Sequence, residues 1–257
     1  MLRAHGSTDK GPLRPTNEDY FGIDEDLGLC VLADGMGGHN AGEVAARMAV
    51  DAVTDYVRLA ILEGTGRDDG MAWPFGFEPS LSRAGNLLRT AVLVAHVQIL
   101  DAAMSVNRYS GMGTTIVVTL VSDGRLSVAH VGDSRLYLFG PRLRQLTRDD
   151  SWVVRVLAGE SSADRGLPQN HPMRNALTNV VGARARTEVH VIEEELGACT
   201  RLALTTDGVH GVLDEGRVEQ LLVEVDIQAA SRNLVAAALA QGSRDNCTAV
   251  VADYRSM

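Results

Sequence analysis

Three stretches of the chain share one pattern, an apolar run that ends in aspartate. VLADG places Asp34 before Gly35, LALTTDG places Asp207 before Gly208, and VAHVGDS places Asp133 before Ser134. In SRDNCTAVV the order is reversed, with Asp245 just ahead of the apolar run, and in RPTNEDY the acids Glu18 and Asp19 open one. A single aspartate at a strand end is ordinarily a turn former. The recurrence implies more. If these strand ends meet at one edge, their carboxylates repel one another and rise in pKa unless a cation sits among them. Oxygen-only ligands suit Mg²⁺, Mn²⁺ or Ca²⁺ rather than zinc. Gly35 leaves its carbonyl open to such an ion, with no side chain in the way.

Other chemistries fit less well. Four glycines follow Asp34 within eight residues, but no Gly-Lys-Ser/Thr closes them, and the third glycine position of a dinucleotide fingerprint holds Asn40. A tight turn before a helix explains those glycines equally well. The three cysteines, Cys30, Cys199 and Cys247, form no CxxC pair, which fits buried thiols in a reducing compartment. Counting from Cys30, the arginine of a thiol-phosphatase Cys-x5-Arg loop is replaced by Met36. The net charge of −9 disfavours nucleic acid and anionic membranes as partners. The first residues contain no apolar leader-like run, and no later stretch is uninterruptedly apolar for the length of a membrane span, so the expected location is the cytoplasm.

The elements that must position these acids follow from periodicity. Residues 19–23 and 28–33 read as short strands, and 41–62 and 79–105 as long helices. In the first helix Ala45, Met48, Ala49, Ala52, Val53, Val57 and Ile61 recur three or four apart; in the second Leu81, Leu88, Val92, Ala95 and Ile99 share a face. After Gly113 the chain becomes β-rich, with Asp-Gly and Gly-Pro turns between short apolar runs. A short helix is expected at 149–158, then an irregular segment, two strands, helices at 214–224 and 228–240, and a closing strand CTAVVADY. This order is not a βαβ alternation. It fits an α+β fold of two antiparallel sheets covered by helix pairs, in one domain spanning residues 1–257.

Six motifs in succession, RPTNED, ADGMGGHNAGE, GMGTT, VGDSRLYL, TTDG and RDNCTAVV, resemble those of the metal-dependent Ser/Thr protein phosphatases (the PPM family, type 2C) in their bacterial form. The resemblance runs over nearly the whole chain. It implies a four-layer αββα sandwich and a flap-like segment at about 149–182. It implies removal of phosphate from phosphoserine and phosphothreonine by in-line attack of a metal-bridging hydroxide, with no phosphoenzyme. The implied cofactors are two Mn²⁺ or Mg²⁺ ions, with a weaker third. The implied partners are phosphorylated proteins and a cognate Ser/Thr kinase, and the expected state is a monomer.

By the same resemblance, Asp34 bridges two metals and Gly35 offers its carbonyl to the first. Asp207 and Asp245 bind the second metal, Asp133 and Asp207 the third, and Arg14 grips the substrate phosphate. Glu18 matches the acid that reaches the second metal, commonly through water. Asp19 could share that role, and the sequence does not separate the two. Many eukaryotic relatives carry a general-acid histidine two residues after the bridging aspartate, where this chain has Met36. His39 is nearby, as a helix-opening residue or a proton donor, with metal-bound water the favoured acid. Thr114 and Thr115 are expected to shape a strand, Ser134 and Arg135 to support the Asp133 turn, and Asn246 to brace Asp245. His171 is read as a surface histidine of the flap. Trp73, Phe75 and Phe77 are read as tucking onto the helices in preference to forming a partner patch. A pseudophosphatase would be expected to lack some of the metal carboxylates, and none is missing here.

Overall fold

Strands β3 (Leu29–Met36), β5 (Ile116–Ser122), β6 (Arg125–Val131) and β11 (Cys247–Arg255) are buried along most of their length. Strands this apolar must be covered on both faces. The computed structural model describes residues 1–38, 41–62, 73–152, 154, 176–224 and 226–256, and it shows what covers them. The other strands are β1 (Leu2–Asp9), β2 (Asp19–Asp24), β4 (Gly113–Thr114), β7 (Arg135–Phe139), β8 (Leu143–Gln145), β9 (His190–Glu195) and β10 (Cys199–Thr205). They form two sheets, ordered β1-β11-β10-β7-β8 and β2-β3-β5-β6-β9, with β4 attached to β3. Every pairing between these strands is antiparallel.

Side-chain alternation assigns each strand face to a layer. Leu29, Val31 and Ala33 of β3 face helices α1 (Ala41–Leu62) and α2 (Arg83–Ser105), while Cys30 and Leu32 face the other sheet. On β11, Val250, Ala252 and Tyr254 point between the sheets. Cys247, Ala249 and Val251 point to α3 (Asp207–His210), α4 (Glu215–Leu222) and α5 (Ile227–Ala240). Three apolar cores separate four layers, which is the αββα sandwich expected from the sequence.

Two helices depart in detail. α2 starts at Arg83 rather than 79, because Ser82 adopts extended backbone and its hydroxyl accepts the Gly85 N–H at 3.1 Å, capping the helix there. On α1, Val50 and Ala60 join the buried face while Ile61 points outward at 43% exposure. By length and composition α2 could cross a membrane; here its Leu88, Val92, Ala95 and Ile99 are wholly buried in the helix–sheet core. Strand β1 has no apolar alternation and was not anticipated. It is held by a continuous antiparallel register with β11, from Leu2 opposite Tyr254 to Asp9 opposite Cys247. Of the helix expected at 149–158, residues 149–151 are not helical, since Ser151 forms a β-bridge with Leu177; residues 153 and 155–158, most of the 149–182 segment, His39 and His171 lie outside the described residues.

Candidate metal centre

Each of the acids read from the sequence sits where a strand ends. Asp34 and Gly35 lie near the end of β3, Asp133 in the β6–β7 turn, Asp207 just after β10, and Asp245 two residues before β11. The two sheets bring these ends to one side. Arg14, Glu18, Asp34, Gly35, Asp133, Asp207 and Asp245 line a single cleft of about 240 Å³, together with Met36, Thr115 and Asn246.

Backbone contacts fix the cleft. Gly35 N–H donates to the Glu18 carbonyl at 3.0 Å. A Cβ on Gly35 would stand 2.0 Å from the Gly42 carbonyl, so the first turn of α1 can approach only a glycine. Asp34 is clamped on both backbone groups. Its N–H donates to Thr115 Oγ1 at 3.1 Å, and its carbonyl accepts from the Thr115 N–H and the Thr114 hydroxyl, each at 2.8 Å. Thr115 Oγ1 lies 2.7 Å from Ser134 Oγ, which joins the Asp34 strand to the Asp133 turn. Arg135 turns away from the cleft and holds Asp149 with Nε and Nη2, so it supports the turn from behind.

The register separates Glu18 from Asp19. Asp19 lies opposite Asp34 in the β2–β3 ladder and is 5% exposed. Its Oδ2 accepts from the hydroxyls of Thr206 at 2.9 Å and Thr248 at 2.6 Å, while Oδ1 has no hydrogen-bond partner. Glu18, not Asp19, lines the cleft. The two threonines were not singled out in the sequence, where threonine in a strand reads as an ordinary β-former. Asn246 does more than brace Asp245. Its N–H donates to Asp245 Oδ1, its Nδ2 donates to the carbonyls of Lys10 and Thr16, and its Oδ1 accepts the Glu18 N–H. It therefore pins the loop that carries Arg14 and Glu18. Trp73 packs on the helical core, as expected, but Phe77, 5.5 Å from it between ring centroids, does not tuck in and is 50% exposed.

The electrostatics of the cleft are those of acids forced together. Burial pushes the Asp34 carboxyl well above its ordinary range, and the charges of Asp19, Asp207, Asp133 and Asp245 push it further. Burial and then Asp207 push Asp133 up to about 7. Asp207 is raised by burial and then by Asp245, against the opposing charge of Arg14. Burial also raises Asp19 and Glu18. Among the described residues that line the cleft the one base is Arg14, ion-paired to Asp245. In this arrangement no three His, Cys, Asp or Glu side chains among the described residues are drawn to ligand spacing. The donor set still fits hard divalent cations, since it is all oxygen, crowded and under-neutralised.

Comparison with known proteins agrees. The family model described as protein phosphatase 2C matches residues 15–242. The serine/threonine phosphatase stp of Listeria welshimeri is 30% identical, over 100% of this chain and 97% of that protein. PstP of Mycobacterium tuberculosis is 33% identical over 98% of this chain, which corresponds to 45% of PstP. Among solved structures, M. tuberculosis PstP/Ppp superposes with a TM-score of 0.81 at 30% identity, covering 99% of both chains. The PstP catalytic domain in complex with two manganese ions superposes with a TM-score of 0.79 at 28% identity, again over 99% of both. A family model that covers most of the chain, and relatives that match from end to end, place the chain in the protein phosphatase 2C family of serine/threonine phosphatases.

Proposed function

We propose that residues 1–257 act as a single catalytic domain that removes phosphate from phosphoserine and phosphothreonine in proteins, using divalent cations. The observation that carries this reading is the convergence of five acids and one arginine on one cleft. Asp34, Asp207 and Asp245 would hold two Mn²⁺ or Mg²⁺ ions, with the Gly35 carbonyl and Glu18 completing the set. Asp133 and Asp207 would hold a weaker third ion. Bound at such a site, the ions supply Lewis acidity and lower the pKa of water. Arg14, half-exposed at the cleft, leaves Asp245 to grip two phosphoryl oxygens, a geometry that a guanidinium matches. Asp19, tied to Thr206 and Thr248, stays behind the cleft and holds Asp34 in register.

No protein nucleophile is called for. Cys30 is buried between the sheets, and burial pushes its thiol up to about 12. Cys247 is buried against the helical layer and its thiol is likewise raised by burial. The setting we infer is cytoplasmic reversal of a Ser/Thr kinase by a monomeric enzyme. Release of phosphate from a phosphothreonine peptide tests the reading. Turnover should require Mn²⁺, vanish in EDTA and fall about a hundredfold or more in Asp207→Asn. A pure protein that binds Mn²⁺ but releases no phosphate from any phosphopeptide would refute it.

A further inference from the structure

A second cavity, about 830 Å³, lies beside the metal-centre cleft. The two share a wall. Leu177 lines the cleft and the next residue, Thr178, lines the second cavity. Leu177 forms a β-bridge with Ser151, and consecutive side chains of extended chain point to opposite sides. The rest of the wall is the β6–β7 turn. Asp133 faces the cleft, while the preceding Gly132 donates its N–H at 3.0 Å to Asp150, which lines the second cavity.

Charge within this cavity is unevenly satisfied. Asp149 is held by Arg135. Asp150 accepts from Gly132 and Asn179 and lies 3.0 Å from His190 Nε2. Arg148 and Arg186 line the same cavity and, among the described residues, make no ion pair or hydrogen bond. Glu188 is the one lining carboxylate among those residues without an ion partner. With Asp149 paired to Arg135 and Asp150 bonded to His190, the lining charges without a partner among the described residues are the guanidiniums of Arg148 and Arg186 and the Glu188 carboxylate, on a protein of net charge −9.

We propose that this groove takes an acidic stretch of the phosphoprotein, within a few residues of the phosphorylated side chain, and that Arg148 and Arg186 read its carboxylates. The inference rests on the phosphatase reading above and adds a substrate class to it. An extended chain advances about 3.3 Å per residue, so a peptide with its phosphate in the cleft crosses the one-residue wall at once. Long-range repulsion from the acidic enzyme penalises acidic substrates generally. A local pair of unpartnered guanidiniums therefore acts on selectivity more than on affinity.

The test compares three phosphothreonine peptides that differ only in flanking residues, glutamate, glutamine or lysine, assayed with Mn²⁺. The acidic peptide should show kcat/KM about three- to tenfold above the neutral one, and that ratio should shrink as salt rises. In the double variant Arg148→Glu/Arg186→Glu the ratio should fall to one or invert, while Arg148→Lys/Arg186→Lys should keep most of it. The ratio is internal to each protein, so a general loss of activity does not move it. Equal turnover of the three peptides, or a preference that survives charge reversal, overturns the inference alone. Absence of turnover with every peptide overturns the phosphatase reading and the inference with it.

Discussion

Carboxylates that share a pocket without cations make the folded state a proton trap. Burial and then Asp207 push Asp133 up to about 7, and Asp34 is raised well above its ordinary range by burial and by its four acidic neighbours. In an unfolded chain both ionise at about 4. Between those limits the folded protein binds more protons than the unfolded one, so its stability in EDTA falls as pH rises through that window and levels off above it. This is the reverse of the usual behaviour of a salt-bridged aspartate. Divalent cations take the place of the protons. Mn²⁺ should therefore raise Tm more near pH 7.5 than near pH 5, and Asp133→Asn should flatten the pH slope of the metal-free protein. Thermal scans with EDTA or Mn²⁺ at both pH values check this; a Tm gain from Mn²⁺ that is larger at the lower pH would count against it.

The elements hold the acids through close backbone approach, which makes small residues decisive. A Cβ on Gly208 would lie 1.9 Å from the Asn246 carbonyl, so Gly208→Ala must push the strand end bearing Asp207 away from that bearing Asp245. Overpacking of this kind costs about 1–3 kcal/mol, and the half-saturating Mn²⁺ concentration should rise with it, as titrations of activity would show. Asn246→Ala strands the Glu18 N–H and the carbonyls of Lys10 and Thr16. It should cost about 1–3 kcal/mol and raise KM for phosphopeptides more than it lowers kcat, since the Arg14 loop loses its anchor. Much of this was legible in the sequence. Strand ends carry their own marks, an acid where an apolar run stops or starts, and the site lies at those marks. The division of labour between Glu18 and Asp19 was not legible, because it depends on cross-strand register and on two threonines from the other sheet. The start of α2 was misplaced because Ser82 caps the helix one turn inside the periodic segment. β1 was invisible because Ala4, Gly6, Ser7 and Thr8 carry no apolar alternation; its pairing with β11, and the Phe21 ring packed where Gly6 has no side chain, make it a strand.

Over the whole molecule, the two sheets clasp through their own central core, and the first strand of the chain pairs with the last. Removing residues 1–9 would strip one edge of β11 and break the hydrogen bond between His5 and Ser231 on α5. The truncated protein should unfold at a markedly lower Tm or aggregate through the uncovered edge, as melting and light scattering would show. The same pairing also sets a clock. Translation at about 5–20 residues per second puts roughly ten to fifty seconds between the appearance of β1 and that of β11. Throughout that interval β1 has no partner and Asp245 does not yet exist. A nascent chain therefore carries most of the acids of the cleft without a complete cleft, and the cleft can close only once β11 has emerged to pair with β1.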